Sequence, residues 1–144
     1  MSVRVLAAEP ADWEALARLL RDHRLPLDGL REHLATTVVA RDEDALVGSA
    51  ALEVYDDGAL LRSVAVVPGR QHSGLGETLV KASIDVARTR GIPALYLLTT
   101  TAERYFPRFG FERIDRADVP AGVQRSIEFT SACPSSAIVM RKIL

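Results

Sequence analysis

The residues best suited to chemistry in this 144-residue chain gather around one short run, Gln71, His72, Ser73, Gly74, Leu75 and Gly76, in which two glycines are one residue apart. Glycine removes the side chain where another group must approach the backbone, and free N–H groups at the start of a helix attract an anion. The run reads as a phosphate cradle, with a plain tight turn between strand and helix as the alternative. No Gly-Lys-Ser/Thr of a P-loop follows, and the run is shorter than the GxGxxG dinucleotide fingerprint. Nucleotide hydrolysis and hydride transfer therefore both lose support.

A second group of polar residues sits in apolar surroundings. Arg62 and Ser63 interrupt the run ALLRSVAV, so one of them is expected to face a cleft; pairing of Arg62 with Glu53 on a neighbouring strand is the alternative, because a buried arginine needs a partner in either case. Glu53 and Tyr55 alternate with Val54 and share one strand face. Glu53 is the first candidate for a base or an amine anchor, against a solvated edge carboxylate. Cys133 is read either as a thiol nucleophile or soft-metal ligand or as an inert apolar residue. His23, His33 and His72 share no metal-ligand spacing, so no metal is expected. Arg104 and Arg108 lie four apart and are read as a phosphate contact or a solvated face.

These residues need elements to position them. Residues 3–6 (VRVL) read as a strand, and Pro10 opens a helix with Trp13, Leu16, Ala17 and Leu20 on one face. The stretch 23–29 breaks it, and a weaker helical pattern follows over 30–34. Strands over 37–41, 45–55 and 59–67, the last two joined by an Asp-Asp-Gly turn, suggest an antiparallel meander. From residue 75, Leu75, Leu79, Ala82 and Val86, with Val80, Ile84 and Ala87, recur at helical spacing up to Gly91. A strand over 92–99, helical spacing over 101–109, a helix over 120–129 and a closing strand over 135–144 complete the expectation. The order strand, helix, strand predicts a crossover joining parallel strands.

Composition bounds the rest. With 48% hydrophobic and 26% charged residues the chain is that of an ordinary globular protein, expected as one domain over 1–144, and not of a disordered or fibrous one. Eighteen Lys+Arg against 19 Asp+Glu give a net charge of -1, without the basic excess of a nucleic-acid or anionic-membrane binder. Apolar runs fall short of the roughly 20 residues that span a bilayer. A lone cysteine and an N-terminus MSVRVLAAEP without a secretory apolar run make a cytoplasmic location the expectation.

The chain resembles the Gcn5-related N-acetyltransferase (GNAT) family, whose Q/R-x-x-G-x-G/A motif between a strand and a helix is matched by QHSGLG. That family's later N-x-x-A-x-x-x-Y-x-x-x-G-F pattern reads here as Thr99, Ala102, Phe106, Gly110 and Phe111, with the spacing kept and two polar positions changed. The resemblance implies a mixed α/β fold: a twisted, mostly antiparallel sheet with helices on both faces and a splayed parallel strand pair. It implies acetyl-CoA as donor, its pyrophosphate at 71–76 with Glu77 in the following turn, and its pantetheine arm along Val64, Ala65 and Val66. An N–H of Ala65 or Val66 would polarise the thioester. Thr99 and Phe106 occupy positions that face the donor, and Phe106 has no proton for a leaving thiolate, so no catalytic residue is assigned. The acceptor implied is the primary amine of a small molecule near Glu53, Tyr55, Arg62 and Ser63. A protein N-terminus or lysine is the runner-up, and a non-catalytic acyl-CoA sensor or a bare structural partner are the competing classes. ALLRSVAV, YLLTTTAERYFPRFGF and the tail from Asp115 look like the small branch associated with arsenic-resistance genes, which points to an amino-acid-like or arsenical acceptor; a homodimer through the C-terminal strand is implied by the same resemblance.

Overall fold

The computed structural model describes residues 3–144, without the side chains of Ser131 and Ala132. Seven strands form one sheet in the order β1-β2-β3-β4-β5-β7-β6, with β1 Val3–Ala7, β2 Thr37–Asp42, β3 Ala45–Tyr55, β4 Gly58–Val66, β5 Ala94–Thr99, β6 Glu112–Ile114 and β7 Ile138–Ile143. Neighbours run antiparallel except β4 and β5, which are parallel. This is the mostly antiparallel sheet with one parallel pair that the sequence suggests.

Two-residue alternation in the strands sends side chains to opposite faces, and each face has its own helix. On one face α2, Leu75–Thr89, packs Leu79, Val80, Ile84 and Ala87 against Ala50, Leu52, Leu61, Leu95 and Leu97. Gly48 lets the helix come down onto β3, since a Cβ there would lie 2.7 Å from Leu79 Cδ1. On the other face α1, Trp13–Asp22, packs Leu16, Leu19 and Leu20 with Leu30 against Ala51 and Ala65. Beside it, Val119 and Val123 cover Leu60, Tyr96 and Val139, with α3, Ala121–Gln124, as a single turn.

The structure corrects three expectations. Residues 101–109 are not a helix: Thr99 Oγ1 accepts the amides of Thr101 and Ala102 at 3.3 and 2.9 Å, which curls the chain into turns, and a 3-10 turn over Phe106–Phe109 follows. Pro107 brings no N–H to that turn, and Gly110 at φ 92° ends it. The helix expected over 120–129 is instead α3 and a separate turn of π-helix, Glu128–Ala132. Ser126 divides them, its Oγ accepting the Glu128 amide at 3.2 Å. Strand β6 is an element that the sequence does not predict, because three residues are too few to show an alternation, and β7 inserts between it and β5. No helix among the described residues is long and apolar enough to cross a membrane.

Candidate active site

Strands β4 and β5 are in register at Ala59↔Leu95 and Leu60↔Tyr96 and then diverge, β4 staying with β3 and β5 turning to β7. Between them lies a cavity of about 860 Å³, walled by the second halves of both strands, the loop 71–76, the turns after β5, the segment 24–26 and the C-terminal stretch 128–137.

The backbone of β4 along this gap can be read from its pairing. A bulge, with Ser49 opposite Ala65 but Ala51 opposite Arg62, inserts one residue, and Ser63 takes a φ of 59° there. Ser49 Oγ donates to Ser63 O at 2.7 Å and holds the bulge. Beyond it the Val67 amide donates to Val47 O, so by alternation Ala65 also faces β3, while Val64 and Val66 face the gap. This separates the two amides expected to meet a thioester: the Val66 amide is on the open side and the Ala65 amide is not. Val66 O is already engaged by Gln71 Nε2 at 3.2 Å and His23 Nε2 at 2.8 Å.

The loop that follows is shaped for an anion. His72 at φ 65° and Gly74 at φ 85° put two left-handed residues within three positions, and α2 begins at Leu75 with no side chain capping its N-terminus. The first-turn N–H groups therefore point into the cavity mouth. A Cβ on Gly74 would meet nothing within 4 Å, so atoms can approach the backbone freely there. At Gly76 a Cβ would sit 3.2 Å from Tyr105 Oη. Tyr105, with Arg108 stacked 4.4 Å from its ring, thus closes the α2 end of the cavity. Arg104 and Arg108 line an adjoining open recess. Of the loop residues, Gln71, His72, Gly74, Gly76 and Glu77 line the cavity, whereas Ser73 turns its hydroxyl to Arg70 O and Leu75 enters the core. Thr99 and Phe106 also line it; Phe106 is buried against Phe109 and Phe111.

At the far end, where the bulge turns β4, the polar residues converge. The Arg62 guanidinium is fully buried and donates from Nη1 to Glu53 Oε2 at 2.8 Å and Asp28 O at 2.6 Å, and from Nη2 to Pro26 O at 2.9 Å. Its Nε lies 3.0 Å from Glu128 Oε2 and 3.2 Å from Ser63 Oγ. Glu53 accepts Tyr55 Oη at 2.6 Å and has His33 Nε2 at 3.8 Å. Arg62, Ser63, Glu128 and Cys133 line the cavity; Glu53 and Tyr55 do not, because they stand behind Arg62. Cys133 Sγ lies 3.6 Å from Glu128 Oε1, and burial together with that carboxylate pushes its thiol up to about 12. Burial is also the main cause that raises Glu128 above the usual carboxylate range, with Arg62 opposing it. Nothing in the sequence marks Glu128, since it is a lone glutamate in a stretch without period. Among the described residues, no group of three His, Cys, Asp or Glu could hold a metal ion.

A sequence profile of the Acetyltransferase (GNAT) family matches residues 4–111. An amino-acid acetyltransferase of Neisseria meningitidis is 30% identical over 135 residues, which is 90% of this chain and 30% of that protein. Among solved structures, N-acetylglutamate synthase from Neisseria gonorrhoeae complexed with coenzyme A and N-acetyl-glutamate superposes with a TM-score of 0.85 at 24% identity, over 100% of this chain and 35% of that one, a likeness of fold. Rv2747 from Mycobacterium tuberculosis in complex with CoA superposes at 0.82 and 27% identity, over 98% of this chain and 99% of that one. The chain thus spans about a third of the length of the amino-acid acetyltransferase it matches.

Proposed function

Because this chain belongs to the acetyltransferase (GNAT) family, we propose that it moves acetyl from acetyl-CoA to the amino group of a small amino-acid-like molecule. The observation that carries the reading is the wedge between β4 and β5, with unpaired strand backbone on one wall and an uncapped helix N-terminus at its mouth. The residues present fit the donor: nothing stands within 4 Å of a Cβ at Gly74, and the gap-facing backbone of Val64 and Val66 can take an extended amide chain as an added strand.

When bound, acetyl-CoA supplies an acetyl group activated as a thioester. The α2 amides hold its diphosphate by dipole and hydrogen bond, and the amides of Val64 and Val66 orient the arm that follows. Arg62, held by backbone carbonyls of 26 and 28, ties the segment over the acceptor end to the sheet. Two carboxylates to one guanidinium make that end attractive to an ammonium group. The relatives named for amino-acid acetyltransfer support an amino-acid-like acceptor, and the resemblance of the sequence to the arsenic-resistance branch alone extends the reading to arsenical ones.

Titration calorimetry of CoA with the wild type and with Gly74→Asp tests the donor site, and thiol release on adding α-amino acids, phosphinothricin-like amines, arsenical amino compounds and N-terminal peptides tests the acceptor. The aspartate places bulk and negative charge where the diphosphate belongs, so binding is expected to fall by at least tenfold. Binding without thiol release from any amine would favour an acyl-CoA sensor, a reading to which Phe106, without a hydroxyl, lends support.

A further inference from the structure

We propose that Glu128 is the general base that takes the proton from the acceptor ammonium, with Arg62 and Cys133 as the residues that position its carboxylate. The inference rests on the acetyltransfer reading above and adds to it the residue that does the proton transfer.

Three features set Glu128 apart from the other carboxylates. It is 4% exposed yet lines the cavity, so its carboxylate meets a ligand and little bulk water. It stands beside Arg62 and Ser63 at the bulge, where the gap-facing backbone of β4 begins and the track from the α2 loop runs out. Each of its oxygens has one neighbour, Arg62 Nε on Oε2 and Cys133 Sγ on Oε1, which fixes the carboxylate plane and leaves further lone pairs for a third donor. Glu53, the first choice from sequence, is 2% exposed, spends its oxygens on Arg62 and Tyr55, and does not reach the cavity.

The charges facing Glu128 are Arg62 from β4, Glu53 from β3 and Asp28 from the segment above, and the neutral Cys133 thiol donates to it from its own stretch. Burial outweighs Arg62 and raises the carboxyl, which brings it nearer to the pH at which a base works best. In the step itself, the ammonium gives one proton to Glu128 and the neutral nitrogen forms a bond to the acetyl carbon. The carbon–sulfur bond breaks, the nitrogen's second proton goes to the thiolate, and Glu128 releases its proton to solvent. The products are the N-acetyl compound, CoA thiol and one proton.

The test is the pH profile of Glu128→Gln, with Glu128→Asp as the variant that keeps a carboxylate. For a strongly basic amino-acid acceptor at pH 7 the amide variant is expected to lose about 100- to 10,000-fold in kcat, with CoA affinity by calorimetry within threefold of wild type. The loss should shrink about tenfold for each pH unit as the amine sheds its own proton, and nearly vanish for an acceptor already neutral at pH 7, such as a hydrazide. Glu128→Asp should keep the ascending limb at reduced rate. Carbon-13 carboxyl shifts of glutamate-labelled protein, assigned by loss of one resonance in Glu128→Gln, should show that group titrating above the ordinary glutamate value. A loss below threefold, or one equal at every pH and for both acceptors, would overturn the assignment. Wild-type protein that binds no CoA, or releases no thiol, would overturn the acetyltransfer reading itself.

Discussion

A guanidinium buried between two carboxylates is stable only while all three partners remain, because each charge left alone in the interior is paid for in desolvation. Glu53→Gln leaves Arg62 with Glu128 as its remaining ionic partner and leaves one amide oxygen where two carboxylate oxygens had served Arg62 and Tyr55. Urea unfolding should report a loss of about 3 kcal/mol. Glu128 makes stability depend on pH. Its carboxyl is raised in the folded chain, so the fold binds that proton more tightly than the unfolded chain does. The resulting stabilisation is complete below the ordinary glutamate value and is lost as pH rises through the raised one. Wild-type stability should therefore decline relative to Glu128→Gln over that window, as read from urea midpoints at half-unit steps. The Cys133 thiol, up to about 12, should alkylate slowly at pH 8, and its rate should climb about tenfold per pH unit without levelling before pH 11. Removing the neighbouring charge in Glu128→Gln should speed the reaction at pH 8.

At the level of elements, α2 must sit close to β3 for its N-terminus to face the gap, and Gly48 is what allows it. Gly48→Ala sets a methyl 2.7 Å from Leu79 Cδ1 and 3.1 Å from Ala65 O, and Leu79 has no solvent to retreat into. Overpacking of this kind costs about 1–3 kcal/mol, and Leu79→Ala alone costs about 2–5 kcal/mol by leaving a cavity. In the double variant the methyl fills part of that cavity, so the two losses should sum to less than their parts in chemical denaturation. The 71–76 loop answers to a different constraint. Gly74 has room for a side chain but holds φ 85°, so Gly74→Ala is expected to cost about 1–2 kcal/mol in backbone strain alone.

For the molecule as a whole, the sheet is held together at the base of the β4–β5 pair and open beyond it, and a ligand in the wedge would bridge the two halves. A donor bound at 100 times its Kd adds about 2.7 kcal/mol to the folded state. For a chain of this size that corresponds to a rise in Tm of about 5–10 °C. Thermal melts with CoA at two concentrations should show a shift that grows with concentration, and Gly74→Asp should shrink it to about half or less.

Local signals in the chain were enough to specify the core of this arrangement. The glycines at 74 and 76, the apolar strand before them and the three-and-four spacing after them lie within 30 residues, and each sets its own backbone without help from afar. The GNAT motif is therefore legible, and with it the strand, loop and helix that frame the α2 end of the cavity. The far end of the cavity, at Arg62 and Glu128, was decided only by tertiary structure. Its elements from 112 to 134 are turns too short to carry a period, and Thr99, Ser126 and Pro107 bend the chain by single hydrogen bonds or by the lack of one. Glu128 gains its character from Arg62, 66 positions earlier, and from a burial that no local pattern encodes. Which carboxylate faces the cavity and which supports the arginine from behind depends on the side of β4 each one packs against, and that is settled when the sheet and the C-terminal turns close on the same guanidinium.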